Sequence, residues 1–413
     1  MSLPESSDPY LPEQPLKPPT VIPTLPDETS LPPFVEKFHN FLQQYMDVEE
    51  HSPVQTRFGS GTSFRGTLHG QPAQVYDELA ALARQHYYTV YMQRAGKQDE
   101  VVLVDGVLMA RNISAPWWVH LLLLLITILT TTIAGSLLAG YDFSSVRTAI
   151  DLQDRLLLLE IYREGRRFAF PLLLILGIHE MGHYVAARLH GIRVTLPFFI
   201  PLPLFGTLGT LGAVIFIKDT FRNRKILFDV GIAGPLAGLV VAIIVFAWGL
   251  QQPASNGLPI EWLSAGINRV SVPPLLDFIA TTTTNIENTD SLDRIIFYRH
   301  PEALAGWFGI VLTTLNLLPL GQFDGGHIAF ALFGRRLAWP LAIMTAVSLV
   351  LLGLTGWIGW LIWPVLAFFT GLRHPPPHDD ITPLGWPRTI IGILTFVLFF
   401  TMIMVMPFYN SAL

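Results

Sequence analysis

The sequence predicts a mainly α-helical fold: a polytopic transmembrane bundle of about seven spans with a re-entrant segment, plus a small N-terminal α/β domain. Three observations predict it. The 413-residue chain is 51% hydrophobic and only 14% charged, whereas soluble domains carry about 25% charged residues. From Trp117 onward, apolar runs recur at the roughly 20-residue length that a bilayer core demands. Before Trp117 the chain is polar, with mixed helical and strand periods. A net charge of -5 points to no nucleic-acid partner. With no cysteine in the chain, any metal must be held by His, Asp or Glu.

Residues 1–33 are proline-rich and hold one basic residue, Lys17, against five acidic ones. They read as a disordered tail with no recognisable targeting signal, so the first span is expected to direct insertion. Phe34, Phe38, Phe41, Leu42 and Tyr45 then recur at helical spacing. That helix should pack on the next domain or lie on the membrane surface. Within 53–113, Ser63 to Leu68 reads as a strand and Pro72 to His86 as a helix with Val75, Leu79 and Leu82 inward. Tyr88 to Gln93 and Glu100 to Val104 read as strands joined at Ala95–Gly96. The expected division is a tail (1–33), a cytoplasmic helix and α/β domain (34–113), a membrane core (114–372), and a C-terminal loop with a last span (373–413).

The expected spans are 117–139, 168–190, 227–250, 303–320, 338–354, 356–372 and 387–408. The apolar stretch 195–217 is interrupted by Pro197, Pro201, Pro203, Gly206, Gly209 and Gly212. Irregular backbone at membrane depth must face protein or water, so a re-entrant loop or hairpin lining a cavity is expected there. Nine Lys and Arg, from Arg188 to Arg373, fall on one side, which should be the cytoplasm. The loop 140–167 opposes this, with five Arg and five acidic residues on the outer side.

His179-Glu180-Met181-Gly182-His183 sits inside an apolar helical segment. Imidazoles at i and i+4 share one helix face, with Cβ atoms roughly 5–6 Å apart, and both can reach one zinc ion (Zn²⁺). Glu180 lies beside them as a candidate general base for metal-assisted hydrolysis. Such residues within a membrane span mark function by default. A third ligand must come from elsewhere. Asp324, between Pro319 and Gly321 on one side and Gly325–Gly326 on the other, is either that ligand or a cap of the following helix; spacing alone does not decide. His327, one turn on, is within reach of the site, and a supporting or structural role suits it better than a ligand's. His190 ends its helix where a cation suits the dipole. His374 and His378 are also four apart, but the three prolines between them forbid a helix and make them loop residues.

The two motifs together, HExxH in one span and NxxPxxxxDGG (Asn316 to Gly326) in a later one, resemble the site-2 protease family of intramembrane metalloproteases. Arg188-Leu189-His190-Gly191 and Pro197-Phe198-Phe199-Ile200-Pro201 are similar to the cyanobacterial and chloroplast branch, which has an N-terminal soluble domain. The resemblance implies Asp324 as third zinc ligand, Asn316 as an oxyanion-stabilising or substrate-orienting amide, and Gly231 to Pro235 as a small-residue packing motif. It implies hydrolysis of membrane-anchored protein substrates, with the lipid bilayer as a second partner. A bacterial plasma membrane is the expected compartment, with the active site near the cytoplasmic face. A metal-ion transporter would need polar residues spread over several spans. A catalytically inactive scaffold would have no use for an intact set of motifs.

Overall fold

A computed structural model describes residues 31–56, 59–106, 114–141, 143–202, 208–255, 269–284, 299–404 and 408–409. Most of the proline-rich tail lies outside these residues. The first unit opens with α1 (Pro33–Leu42), followed by β1 (Met46–Thr56), β2 (Gly59–Leu68), α2 (Pro72–Gln85), β3 (Tyr88–Ala95) and β4 (Gln98–Asp105). The strands form one antiparallel sheet in the order β1-β2-β4-β3. α1 buries Val35, Phe38 and Leu42 against Phe64, Leu79, Val90 and Val101. Its apolar stripe is therefore spent on the sheet. β1 is absent from the sequence expectation, because Met46–Thr56 alternates poorly and carries four ionisable residues and a proline. An edge strand tolerates such a composition, since one of its ladders faces away from the sheet.

The second unit contains α3 (Trp117–Leu138), α4 (Phe143–Asp151), α5 (Arg155–Leu189), β5 (Phe198–Pro201), β6 (Thr210–Val214) and α6 (Arg224–Gly249). After these come β7 (Arg269–Val270), α7 (Pro274–Thr283), α8 (Pro301–Asn316) and α9 (Asp324–Thr355). A 3-10 turn (Ile358–Leu361) leads into α10 (Ile362–Thr370), and α11 (Trp386–Met402) and β8 (Phe408–Tyr409) end the chain. Among the described residues, four helices are long and apolar enough to cross a membrane: α3, α5, α6 and α9. Leu121, Leu125, Leu129 and Ile133 form an exposed stripe along α3, and Met344, Val347, Leu351 and Leu354 another on α9. A soluble protein does not leave such stripes uncovered.

The span expectations shift in three places. α5 begins thirteen residues before the expected 168, where Asp154 caps it by accepting from Leu156 N and Leu157 N at 3.0 Å each. The expected span 303–320 ends at Asn316, a 16-residue helix in which Ala303, Ala305, Gly306 and Gly309 allow neighbours to close in. The segment Ile328–Phe333 and the span 338–354 are one element broken at Gly334, whose φ of 70° and ψ of 176° interrupt the helix. A side chain there would also collide with the Arg224 guanidinium. Within 195–217, β5 and β6 pair antiparallel, Phe198 opposite Val214. α3 holds this hairpin at two points: His120 Nδ1 lies 3.1 Å from Pro197 O, and Thr130 Oγ1 donates to Gly209 O at 2.7 Å.

The two units are joined by a strap, residues 374–382. Met92 N donates to His378 O at 2.7 Å and Asp380 N to Met92 O at 2.8 Å, so the strap adds to the outer edge of β3. Its other side bonds to the chain before α6, Asp379 N donating to Arg222 O at 2.8 Å. Tyr76 Oη lies 3.0 Å from His378 Nδ1, and Thr220 Oγ1 2.8 Å from His378 Nε2. Burial lowers the His378 pKa to about 4, helped by the Arg84 charge; burial raises that of Tyr76 to about 12.

Candidate metal centre

α5 supplies His179, Glu180 and His183, all buried. One turn of helix separates the imidazoles, whose centroids are 5.0 Å apart. His183 Nδ1 lies 2.7 Å from Val230 O on α6. A carbonyl only accepts, so Nδ1 carries the proton and the neutral ring presents the Nε2 lone pair. That lone pair points at other acceptors: His179 Nε2 at 3.2 Å and Asp324 Oδ2 at 3.2 Å. The third edge, His179 Nε2 to Asp324 Oδ2, is 3.4 Å. In a tetrahedral site with zinc–ligand bonds of about 2.0–2.1 Å, ligand atoms lie about 3.3 Å apart. The three donors therefore have the spacing of one face of a zinc tetrahedron, and they are the right chemical types for it. Among the described residues they form the one cluster of its kind, with all three ligand atoms within 4.8 Å of one another.

Asp324 is 141 residues from His183. It opens α9, where Phe323 holds the cap position. Gly325 and Gly326 let the helix start tightly: a side chain on either would collide with carbonyls of Leu317 or Gly321. Asn316 ends α8, its Nδ2 3.2 Å from His179 Nε2. The backbone of Ile215, just past β6, lies beside Glu180, so the hairpin borders the carboxylate.

Three glycines of α6, at i, i+3 and i+7, seat the site. A side chain on Gly234 would run into the His183 ring. One on Gly238 would come within 3.0 Å of His179 Cβ, and one on Gly231 within 2.8 Å of His327 Cβ. The small-residue motif at Gly231–Pro235 was visible in sequence; that its glycines accommodate imidazoles was not, and Gly238 was missed. The glycine spacing itself was the available signal. His327 is paired outside the cluster, its Nδ1 2.5 Å from His374 Nε2. His190 bonds Asp229, whose carboxylate also takes a two-point contact from Arg388 on α11.

Residues 167–354 match the model of peptidase family M50. The "Probable zinc metalloprotease EGY2, chloroplastic" of Arabidopsis thaliana is 29% identical over 370 residues, 86% of this chain and 61% of that protein. The "Probable zinc metalloprotease EGY1, chloroplastic" of the same plant is 26% identical over 381 residues, 84% of this chain and 66% of that protein. "Probable zinc metallopeptidase EGY3, chloroplastic", also from Arabidopsis thaliana, is 28% identical over 237 residues, 55% of this chain and 41% of that protein. The chain spans less than two thirds of the length of these relatives. The family match and the long apolar helices together make it an integral membrane protein. The relatives are chloroplast proteins, so the bacterial plasma membrane expected from sequence finds no support among them.

Proposed function

We propose, from the premise that this chain carries a peptidase family M50 domain, that it is an intramembrane zinc metalloprotease acting on membrane-anchored proteins. The observation that carries the proposal is the convergence of His179 Nε2, His183 Nε2 and Asp324 Oδ2. These three would hold the zinc. When bound, zinc supplies Lewis acidity and makes water a stronger acid near neutral pH.

The chain's own residues supply the rest. Glu180 is the general base: its carboxylate takes a proton from the attacking water as the oxygen adds to the scissile carbonyl carbon. The same carboxyl then gives that proton to the amide nitrogen, and the C–N bond breaks to leave an acid and an amine. The Asn316 amide orients the carbonyl and stabilises its developing negative charge. The β5–β6 hairpin offers main-chain partners to an extended substrate beside Glu180, which would unwind the substrate and expose its amide. If substitutions throughout 195–217 left cleavage rates unchanged, that role for the hairpin would be wrong.

We also propose a seven-span topology. α8, the turn-plus-helix Ile358–Thr370 and α11 join the four long helices, and residues 34–113 lie on the cytoplasmic side with the active site near that face. The division at 34–113, 114–372 and 373–413 follows, with the strap of the last part serving the first.

The test is Glu180→Gln. The expected result is cleavage of a membrane-anchored reporter reduced roughly 10²- to 10⁴-fold with zinc content unchanged by elemental analysis. Wild-type cleavage in this variant would rule out Glu180 as the base. A metal-uptake assay on the same variant separates the protease from a transporter, whose flux does not need a proton-transfer group at this position.

A further inference from the structure

A cavity of about 640 Å³ opens between the N-terminal sheet and the first half of α9. Its volume falls in the range of small-molecule sites, which favour such junctions between domains (about 300–1,000 Å³). One wall is sheet, with Gln93 on β3. Another is α9, with Arg335 and Trp339 just past the Gly334 break. The strap region supplies Arg373 and His374, and the backbone of Gly321 and Gly326, from the loop around Asp324, closes the inner end.

The charge of this lining is one-sided. Two arginines face the cavity and no Asp or Glu lines it. Arg335 Nη1 donates to the neutral Gln93 Oε1 at 3.3 Å. The Arg373 guanidinium lies 4.6 Å from the centre of the Trp339 ring, a contact that holds the group in place and leaves its edge donors available. Phe330, Ala338 and Ala342 make the rest of the α9 wall apolar. Guanidinium pairs of this kind suit planar or tetrahedral oxyanions. A mostly apolar cavity with a few convergent charged donors takes an anion carried on an apolar or flat body. Basic pockets beside membrane helices bind acidic headgroups on the same principle.

We propose that this cavity is a binding site for a phosphate-bearing ligand, its phosphate held by Arg335 and Arg373 and its apolar part lying against Phe330, Ala338 and Trp339. The chemistry is shared by two sources, the headgroup of an anionic phospholipid and a soluble nucleotide. Because Gly321 and Gly326 form part of the wall, an occupant touches the loop that positions Asp324. The inference rests on the membrane reading of α9 and not on the zinc chemistry, so either can fail alone.

The experiment uses the full-length protein in neutral detergent. Native mass spectrometry reads retained phosphatidylglycerol against phosphatidylcholine, and thermal shift reads ATP against inorganic phosphate. The expected result is at least tenfold preference for one anionic probe over its control. Retention of phosphatidylglycerol identifies the lipid source, and a shift with ATP the soluble one. The double variant R335Q/R373Q should lose that preference, R335K/R373K should keep part of it, and A338W, which fills the cavity without touching the charges, should lose it too. Far-ultraviolet circular dichroism and monodisperse elution in the same detergent report that each variant is folded. Equal retention of the anionic and control probes, or a preference undiminished in R335Q/R373Q, overturns the proposal.

Discussion

His179 and His183 lie four residues apart, and so do His374 and His378. On paper the pairs are equivalent; in the fold they do opposite things. The first pair rides one turn of α5, and its Nε2 atoms meet 3.2 Å apart. The second is divided by Pro375, Pro376 and Pro377, which forbid a helix. His374 turns to His327, while His378 is held between Tyr76 and Thr220 on the strap. Sequence spacing therefore carries chemical meaning only through the backbone that realises it. One pair concentrates lone pairs at a point; the other sends one ring to α9 and sets the other between the two units.

The comparison breaks most sharply if the helix is broken. Met181→Pro removes a main-chain bond and adds a ring clash, at about 3 kcal/mol or more. It should abolish zinc binding and cleavage together, whereas Pro376→Ala should leave zinc stoichiometry as it is. Stoichiometric zinc in purified Met181→Pro would refute the account of α5. Next comes the seat. The methyl of Gly234→Ala displaces the His183 ring, and zinc affinity should fall roughly 10- to 100-fold, read by titration against a competing chelator. An unchanged affinity would mean that α6 does not position the imidazole.

For the strap pair the prediction is one of pH. His378 resists protonation down to about 4 in the folded chain, while a free imidazole protonates near 6.5. Below about 6.5 the released strap therefore binds more protons than the docked one. Docking is at full strength above that pH and weakens as pH falls toward about 4, by on the order of 3 kcal/mol in all. Protection factors of the Met92 and Asp380 amides, exchange rates corrected for the intrinsic pH dependence of amide exchange, should fall through this window, and His378→Gln should flatten the response. A pH-independent protection factor in the wild type would count against the strap as a buried neutral contact. The smallest effect is expected for His374→Ala: about 1 kcal/mol of stability from the lost His327 contact, with zinc content unaltered. Loss of zinc in that variant would show that the two pairs are not independent.

Much of the molecule is legible in its sequence. Helical period and apolar length placed α3, α5, α6 and α11 within a turn or two at most ends, and alternation placed β3 and β4. The failures have physical causes. β1 was missed because an edge strand with Asp47, Glu49, Glu50 and Pro53 needs no apolar alternation. The 195–217 stretch reads as a re-entrant loop or hairpin, and β5 and β6 do pair as a hairpin; its anchors from α3, 77 and 79 residues away in sequence, carry no local signal. The expected start of a span at 338 does agree with the structure, because Gly334, with φ 70° and ψ 176°, interrupts the helix just before it.

What the sequence determines by itself is local. The chain must bury or expose its apolar runs in lipid, and a helix through His179 and His183 must present both imidazoles on one side, because 3.6 residues per turn allow nothing else. Only the tertiary structure decides that Asp324 meets them, that Gly231, Gly234 and Gly238 accommodate the histidine side chains, and that the strap ties the sheet to the core. Each of those is a contact between segments tens to hundreds of residues apart, set by how whole helices pack, and no local period encodes it.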